Sequence, residues 1–148
     1  MDAVLFDLDG TLADNEHRSH FVRIKPRNWR AFFLAQDKDS LIEPIGHIVR
    51  ETYKHGLHKV IIFTARPDDY KEMTEAWLKK HNIPYHAIYM REGKDNRDDE
   101  IIKKEMLDKV KQDGYKPIAV FDDRPKVVRM YRREGLLVFP VDRQDVEF

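Results

Sequence analysis

The chain of 148 residues contains no cysteine. That absence excludes disulfides, thiolate metal sites and cysteine nucleophiles together. Net charge is lacking as well: Lys+Arg and Asp+Glu stand at 27 each, so global charge makes no case for nucleic acid or a membrane surface. No apolar run approaches membrane-spanning length. Asp2, Asp7 and Asp9 interrupt the N-terminus, unlike a signal peptide. A soluble, cytoplasmic protein without membrane contact is the expectation. There is no internal repeat and no low-complexity stretch. A Gly-x-x-x-x-Gly-Lys-Ser/Thr loop is missing too, because Gly93-Lys94 lacks both the preceding Gly and a following Ser or Thr. What remains is a chain of ordinary domain size whose 41% hydrophobic content suffices for a core.

Residues 2–6 read as a buried strand, and its run Ala3-Val4-Leu5-Phe6 ends abruptly in Asp7-Leu8-Asp9-Gly10-Thr11. On an extended strand the i, i+2 spacing puts both acids on one side. There they repel unless a cation or a proton lies between them. Taken alone, Asp-Gly is also a common turn dipeptide. Residues 14–40 differ in character: Arg18, Arg23, Lys25, Arg27 and Arg30 stand among Phe21, Trp29, Phe32 and Phe33. A short helix is expected after Pro26, and a loop from Gln36 to Ser40.

Strands and helices then alternate. A helix over 43–54 carries Ile45, Ile48, Val49 and Tyr53 at helical spacing. A strand over 59–63 ends in Thr64-Ala65-Arg66, and a helix starts at Pro67-Asp68-Asp69. A weaker strand over 86–90 precedes a polar loop from Gly93 to Arg97. A helix over 98–112 shows Ile102, Met106 and Val110 on one face. A strand over 118–121 ends in Asp122-Asp123, followed by a helix over 125–133 and a last strand over 136–139. Uniformly apolar strands alternating with helices imply an α/β fold, a parallel sheet with helices on both faces. Ligands bind such sheets at the carboxyl ends of the strands. Val4-Leu5-Phe6 runs into Asp7, Ile61-Ile62-Phe63 into Thr64, and Ala119-Val120-Phe121 into Asp122, so parallel strands bring these polar groups to one edge.

That edge holds Asp7, Asp9, Thr64, Asp122 and Asp123. Carboxylates without His or Cys make a hard-oxygen site, which suits Mg²⁺ with waters and a phosphate. A carboxylate can attack phosphorus, and a second acid two residues on can protonate a leaving alkoxide and then activate water. A hydroxyl and a lysine would hold the phosphate oxygens. Lys103 and Lys104 are both candidates, although lysine on a charged helix is more commonly solvated.

Asp7-Leu8-Asp9-Gly10-Thr11, then Thr64, a Lys, then Asp122-Asp123 resembles the four-motif signature of haloacid dehalogenase superfamily phosphatases. The resemblance implies a Rossmann-like core with a small helical cap, in a single phosphatase domain over 1–148 with 14–43 as the cap insertion. It implies Asp7 as nucleophile, Asp9 as general acid/base and Thr64 as a phosphoryl binder. Mg²⁺ would be held by Asp7, the Asp9 carbonyl and Asp122, with Asp123 supporting or replacing a ligand.

A closer resemblance, over nearly the whole chain, is to the phosphatase domain of bacteriophage polynucleotide kinase-phosphatases, which repair nucleic-acid ends. Asp122-Asp123-Arg124, Val127-Val128, Met130, Tyr131, Arg132-Arg133 and Gly135 follow its last helix, and Thr64-Ala65-Arg66 stands where it has Ser-Gly-Arg. Arg97, Asp99 and Lys103 match without gaps, Arg91 matches an upstream Arg, and Arg18 falls at the spacing of an Arg after the first motif. The resemblance implies phosphate binding by Thr64, Ala65 and Lys103. Arg18, Arg66, Arg91, Arg97 and Arg124 would bind substrate, supported by Asp99 and Asp123. Guanidinium groups suit phosphate oxygens, while pairing with Asp95, Asp98 or Asp99 is the plainer alternative. The implied activity is removal of 3′-phosphates from DNA or RNA ends, with self-association or a separate kinase or ligase partner.

Two features depart from that pattern. Asp98 stands where the family has Lys and Glu100 where it has Asp, and residues 19–43 are longer than the family's segment and do not resemble it. Their aromatic and basic residues suit either stacking of a base or packing of a small helix onto the core, the latter expected for at least two of Trp29, Phe32 and Phe33. Two rival activities are a phosphatase for mononucleotides or 5′-phosphates and a phosphoacceptor signalling module. The second fits poorly, because the Asp-x-Asp comes first and Asp122-Asp123 last, and a module that keeps its phosphate has no use for Asp9. Balanced charge speaks against a pure nucleic-acid-binding domain.

Overall fold

The computed structural model describes residues 1–142; the last six residues of the expected 1–148 domain lie outside the described part. Strand β1 (Asp2–Phe6) leads through a tight turn into an excursion bracketed by the antiparallel pair β2 (Ala13–Asp14) and β3 (Ser40–Leu41). The excursion holds α1 (His20–Arg23), α2 (Trp29–Leu34) and two 3₁₀ turns, Glu16–Arg18 and Ala35–Lys38. The chain then alternates: α3 (Glu43–His55), β4 (Lys59–Pro67), α4 (Lys71–Lys80), β5 (Ala87–Arg91), α5 (Asp99–Gln112), β6 (Lys116–Asp122), α6 (Pro125–Arg133) and β7 (Leu137–Pro140). The five long strands form one sheet in the order β5-β4-β1-β6-β7, every pairing parallel. The α/β, Rossmann-like architecture with helices on both faces is the one expected from the alternation.

The period of two along each strand decides which helix covers which face. Ala3 and Leu5 of β1, Ile61 and Phe63 of β4 and Val120 of β6 pack with Ile102, Met106, Leu107 and Val110 of α5 and Val127, Val128, Met130 and Tyr131 of α6. Their neighbours Val4, Phe6, Val60, Ile62 and Ala119 pack on the other face with Ile45 and Val49 of α3 and Trp77 and Leu78 of α4. Each buried Val, Leu, Ile, Phe or Met among them contributes about 1.5–3 kcal/mol by leaving water. Helix α3 corrects the expected stripe: Ile45 and Val49 are buried, whereas Ile48 and Tyr53 are exposed at the edge of the contact. The second crossover is also shifted. β4 continues through Pro67, and a 3₁₀ turn, Asp68–Tyr70, delays α4 to Lys71, because Arg66 is held extended by its buried partners.

Residues 36–40 are not the plain loop expected. Gln36 and Asp39 are buried, and they fasten the excursion to the sheet. Arg18 donates to Asp39 from Nε and Nη2, both at 2.8 Å, and Arg66 Nη2 lies 3.4 Å from the same carboxylate. Arg66 Nη1 donates to Gln36 Oε1 at 2.7 Å, as does the Thr74 hydroxyl at 2.8 Å. Trp77 Nε1 donates to the Asp39 carbonyl at 2.8 Å. Polar composition alone reads as solvated surface, but here partners distant in sequence bury it.

The side chains of Arg18, Arg66 and Asp39 are all fully shielded from solvent. Asp39→Ala would leave two buried guanidinium groups short of a counter-charge. The expected loss of unfolding free energy is about 3–5 kcal/mol, measured by urea denaturation. A loss below about 1 kcal/mol, the range of surface pairs, would show that Asp39 does not anchor the excursion.

Candidate active site

The site begins where β1 stops. Asp7 N still donates to Phe121 O of β6 at 3.0 Å, but the chain then turns, with Leu8 O accepting from the backbone of Thr11, Leu12 and Ala13. Gly10 has φ +82°, and a Cβ there would lie 2.0 Å from an Asp123 carboxylate oxygen, so only glycine lets the turn pass Asp123. Leu8 packs on the face of Val4 and Phe6, while Asp7 and Asp9 both line one cavity, as the i, i+2 spacing leads one to expect. The two acids belong to two different groups of charges.

The first group is rich in negative charge. Asp7, Asp122 and Asp123 offer oxygens that all lie within 4.8 Å of one another. Lys103 Nζ, on α5, donates to Asp7 Oδ1 at 2.8 Å and Asp122 Oδ2 at 2.5 Å. Thr11 Oγ1 donates to Asp7 Oδ2 at 3.2 Å. Burial and then Asp122 push the Asp7 carboxyl well above its ordinary pKa, and burial and Asp122 push Asp123 up to about 6. Burial works against the Lys103 ammonium, but Asp122 and Asp7 more than offset it and hold its pKa well above the usual lysine value. One ammonium among three carboxylates leaves two negative charges unbalanced when all ionise. An all-oxygen donor set short of two positive charges fits Mg²⁺. Lys104, next in sequence, lies at the surface and donates to Asp108 at 2.9 Å.

The second group is balanced. Arg18 Nη2 donates to Asp9 Oδ1 at 2.5 Å and Arg66 Nη2 to the same oxygen at 2.8 Å, with Arg66 Nε 3.2 Å from both oxygens. Burial pulls the Asp9 carboxyl upward, but Arg66 and then Arg18 outweigh it and bring the pKa down to about 2. Asp9 is therefore a carboxylate at neutral pH. Asp39 completes two arginines against two aspartates, with His17 Nε2 2.6 Å from Asp39 Oδ1.

Thr64 lies buried in β4 at this edge, its Oγ1 accepting from Arg66 N at 3.1 Å, which leaves the hydroxyl proton available to donate. Ala65 O accepts from Arg91 Nε at 2.9 Å. Asp99 pairs with both Arg91 and Arg124, and Arg124 N donates to Asp122 Oδ1 at 3.0 Å. Arg97 stands further out, between Asp95 at 2.7 Å and Glu105 at 2.6 Å. A single cavity of about 980 Å³ is lined by Asp7, Asp9, Thr64, Ala65, Arg66, Lys103, Asp122 and Asp123 at its base, and by Arg91, Arg97, Asp99 and Arg124 along one wall. Arg18 is wholly buried beneath Asp9, and neither it nor Arg66 is a free surface cation. Gln36, Asp39 and Thr74 escaped the sequence reading. Each is an ordinary polar residue in a polar stretch, and no local pattern distinguishes it.

The family model for the polynucleotide kinase PNKP phosphatase domain matches residues 1–146. A protein of Autographa californica nuclear polyhedrosis virus, described as a bifunctional polynucleotide kinase/RNA ligase, is 34% identical over 150 residues, covering 99% of this chain and 20% of that protein. A solved Pnkp1/Rnl/Hen1 complex contains a chain 36% identical to this one, with a TM-score of 0.81, covering 98% of this chain and 46% of that one. A structure described as a phosphatase from Clostridium difficile shares the fold, at 16% identity and a TM-score of 0.66, over 93% of this chain and 83% of its own. This chain thus spans a fifth of the viral relative and under half of the Pnkp1 chain. With the match running over residues 1–146 and the viral relative 34% identical across it, the chain belongs to the family of polynucleotide kinase PNKP phosphatase domains.

Proposed function

We propose that this domain is a Mg²⁺-dependent phosphomonoesterase that removes 3′-phosphates from DNA or RNA ends through an aspartyl-phosphate on Asp7. The observation that carries the reading is the Asp7 carboxylate, at the base of an arginine-walled cavity and beside Asp122, Asp123 and Lys103. Asp7, Asp122 and the Asp9 carbonyl, with Asp123 beside them, are the groups to hold Mg²⁺, which when bound offsets phosphate charge and keeps Asp7 ionised.

Asp7 attacks phosphorus, the bond to the 3′ oxygen breaks, and Asp9 gives that oxygen a proton. Asp9 as a carboxylate then takes a proton from water, the water oxygen attacks the phosphoryl group, and Asp7 is regenerated with release of phosphate. The arginine-held carboxylate suits this second half. For the first half Asp9 must gain a proton, and the negative charge of an arriving phosphate favours that by raising the pKa of a nearby carboxyl. Thr64, Ala65 and Lys103 bind the phosphoryl oxygens. Arg91 and Arg124, steadied by Asp99, face the preceding backbone, with Arg97 at the rim. In this reading residues 14–43 form the cap.

The relatives include a Pnkp1/Rnl/Hen1 RNA repair complex and a viral bifunctional polynucleotide kinase/RNA ligase. The same setting is proposed here: a cytoplasmic end-repair step beside separate or fused kinase and ligase activities. Among the described residues no helix is long and apolar enough to cross a membrane.

Asp7→Asn is expected to lower turnover by at least about 1,000-fold with unchanged circular dichroism. Wild-type protein quenched in acid during turnover should carry a hydroxylamine-labile phosphoryl label that the variant lacks; label persisting on the variant rules out Asp7 as the nucleophile. Turnover should require added Mg²⁺ and be fastest on 3′-phosphorylated oligonucleotides. Faster hydrolysis of 5′-phosphorylated ends or free mononucleotides overturns the substrate assignment. Asp9→Asn should slow a natural 3′-phosphate far more than an aryl phosphate, whose leaving group needs no proton; equal slowing on both removes Asp9 from the acid role.

A further inference from the structure

The three aromatic residues of α2 are not equivalent. Phe32 is 8% exposed, the Arg18 guanidinium lies 4.3 Å from its ring centroid, and Arg18 Nη1 donates to its carbonyl, so it belongs to the packed interior. Phe33 is flanked by the Trp29 ring at 5.9 Å and the Tyr70 ring at 5.3 Å. Trp29 ends this row of rings and is 50% exposed. Large aromatics usually hide most of their surface, so a half-open indole beside a polar cleft is a group available to a ligand.

Resting on the reading of the domain as a nucleic-acid 3′-phosphatase, we propose that Trp29 is a stacking platform for the nucleobase of the nucleotide that carries the phosphate. Four observations support it. Trp29, Phe33, Val22 and Arg27 line the same cavity as Asp7, Asp9 and Thr64, so base platform and nucleophile face one continuous space. That space, about 980 Å³, is at the upper end for small-molecule pockets and far larger than one phosphate group fills. The platform is preorganised: Trp29 is the first residue of α2, whose N-cap Asn28 accepts from Ala31 N at 3.0 Å, while Asn28 N donates to Phe21 O at 2.7 Å. Rigid placement lowers the entropy lost on stacking. Finally, Arg27, exposed and two residues before Trp29, lines the same cavity and forms no ion pair among the described residues, whereas Arg91, Arg97 and Arg124 are each tied to carboxylates. A cation without a partner beside an open indole suits a base followed by a backbone phosphate. Stacking engages the π-face that every base has, so the platform accepts all four bases.

The test compares two oligonucleotide 3′-phosphates that differ only in whether the terminal nucleotide carries its base or is abasic. Wild-type protein should favour the base-bearing substrate in KM by about 10-fold, the scale of one stacked base. Trp29→Ala should lose that preference and Trp29→Phe should keep most of it. A binding readout stands beside the kinetics. The chain has two tryptophans, and Trp77 is 2% exposed, so quenching of indole emission by bound oligonucleotide reports Trp29. In an Asp7→Asn background, which holds substrate without turnover, a 3′-phosphorylated oligonucleotide should quench emission and its abasic counterpart should not. Equal KM for the two substrates in the wild type, or a preference that survives Trp29→Ala, overturns the platform while leaving the 3′-phosphatase reading intact. Failure of wild-type protein to hydrolyse either 3′-phosphate overturns that reading, and the platform with it.

Discussion

Carboxylates gathered at one sheet edge and withdrawn from water are the constraint on which the rest of this structure depends. Burying ionised groups is costly unless each finds a counter-charge or a hydrogen-bond donor. The chain meets this in two ways. Asp9 and Asp39 are neutralised within the protein by Arg18 and Arg66. Asp7, Asp122 and Asp123 are met only in part, by Lys103. A closed set of charges holds shape; a set left short of positive charge attracts a cation and a ligand that brings one. Neighbouring acids of the same short motif thus sit in differently balanced surroundings.

The balanced set has a mechanical consequence. Residues 15–39 contribute little to either apolar cluster of the sheet and are held largely through Arg18, Gln36 and Asp39. Those contacts converge on Arg66 and Asp9, so the group proposed to move protons is fixed by a segment that also lines the cavity. A shift of this segment changes the field at Asp9, and loss of charge on Asp9 loosens the segment. Helical propensity matters little here, because α1 and α2 are too short to be stable alone.

Structures at 16% identity share the parallel sheet, whose apolar strands tolerate many sequences. The relatives at 34% and 36% cover almost the whole of this chain, excursion included. The sheet carries the carboxylates at its edge, and the excursion and the arginines line the cavity beside them.

Much of this was open to inspection in the residues alone. Apolar runs ending at Asp7, Thr64 and Asp122 required strands of one direction, and parallel pairing brought those ends together. Helices α5 and α6 declared their buried faces through Ile102, Met106, Val110, Val127, Val128 and Tyr131, because a period of 3.6 or 2 is a property of local sequence. Pairing of Arg91 and Arg124 with Asp99 and of Arg97 with Asp95 is the plainer alternative read from the sequence, but the partners of the buried charges were not legible. Gln36 and Asp39 sit in a polar stretch that reads as a loop, and their roles exist only because Arg66 and Trp77, nearly thirty and forty residues away in sequence, arrive at the same place. The capture of the Asp9 carboxylate by Arg18 and Arg66 was likewise hidden, since nothing near Asp9 in the chain announces those two partners. The sequence by itself determined the sheet and the acids at its edge, through periodicity and strand ends; tertiary structure alone decided which acids are neutralised and which stay short of a cation, because Coulomb attraction depends on distances between residues that nothing local in the chain encodes.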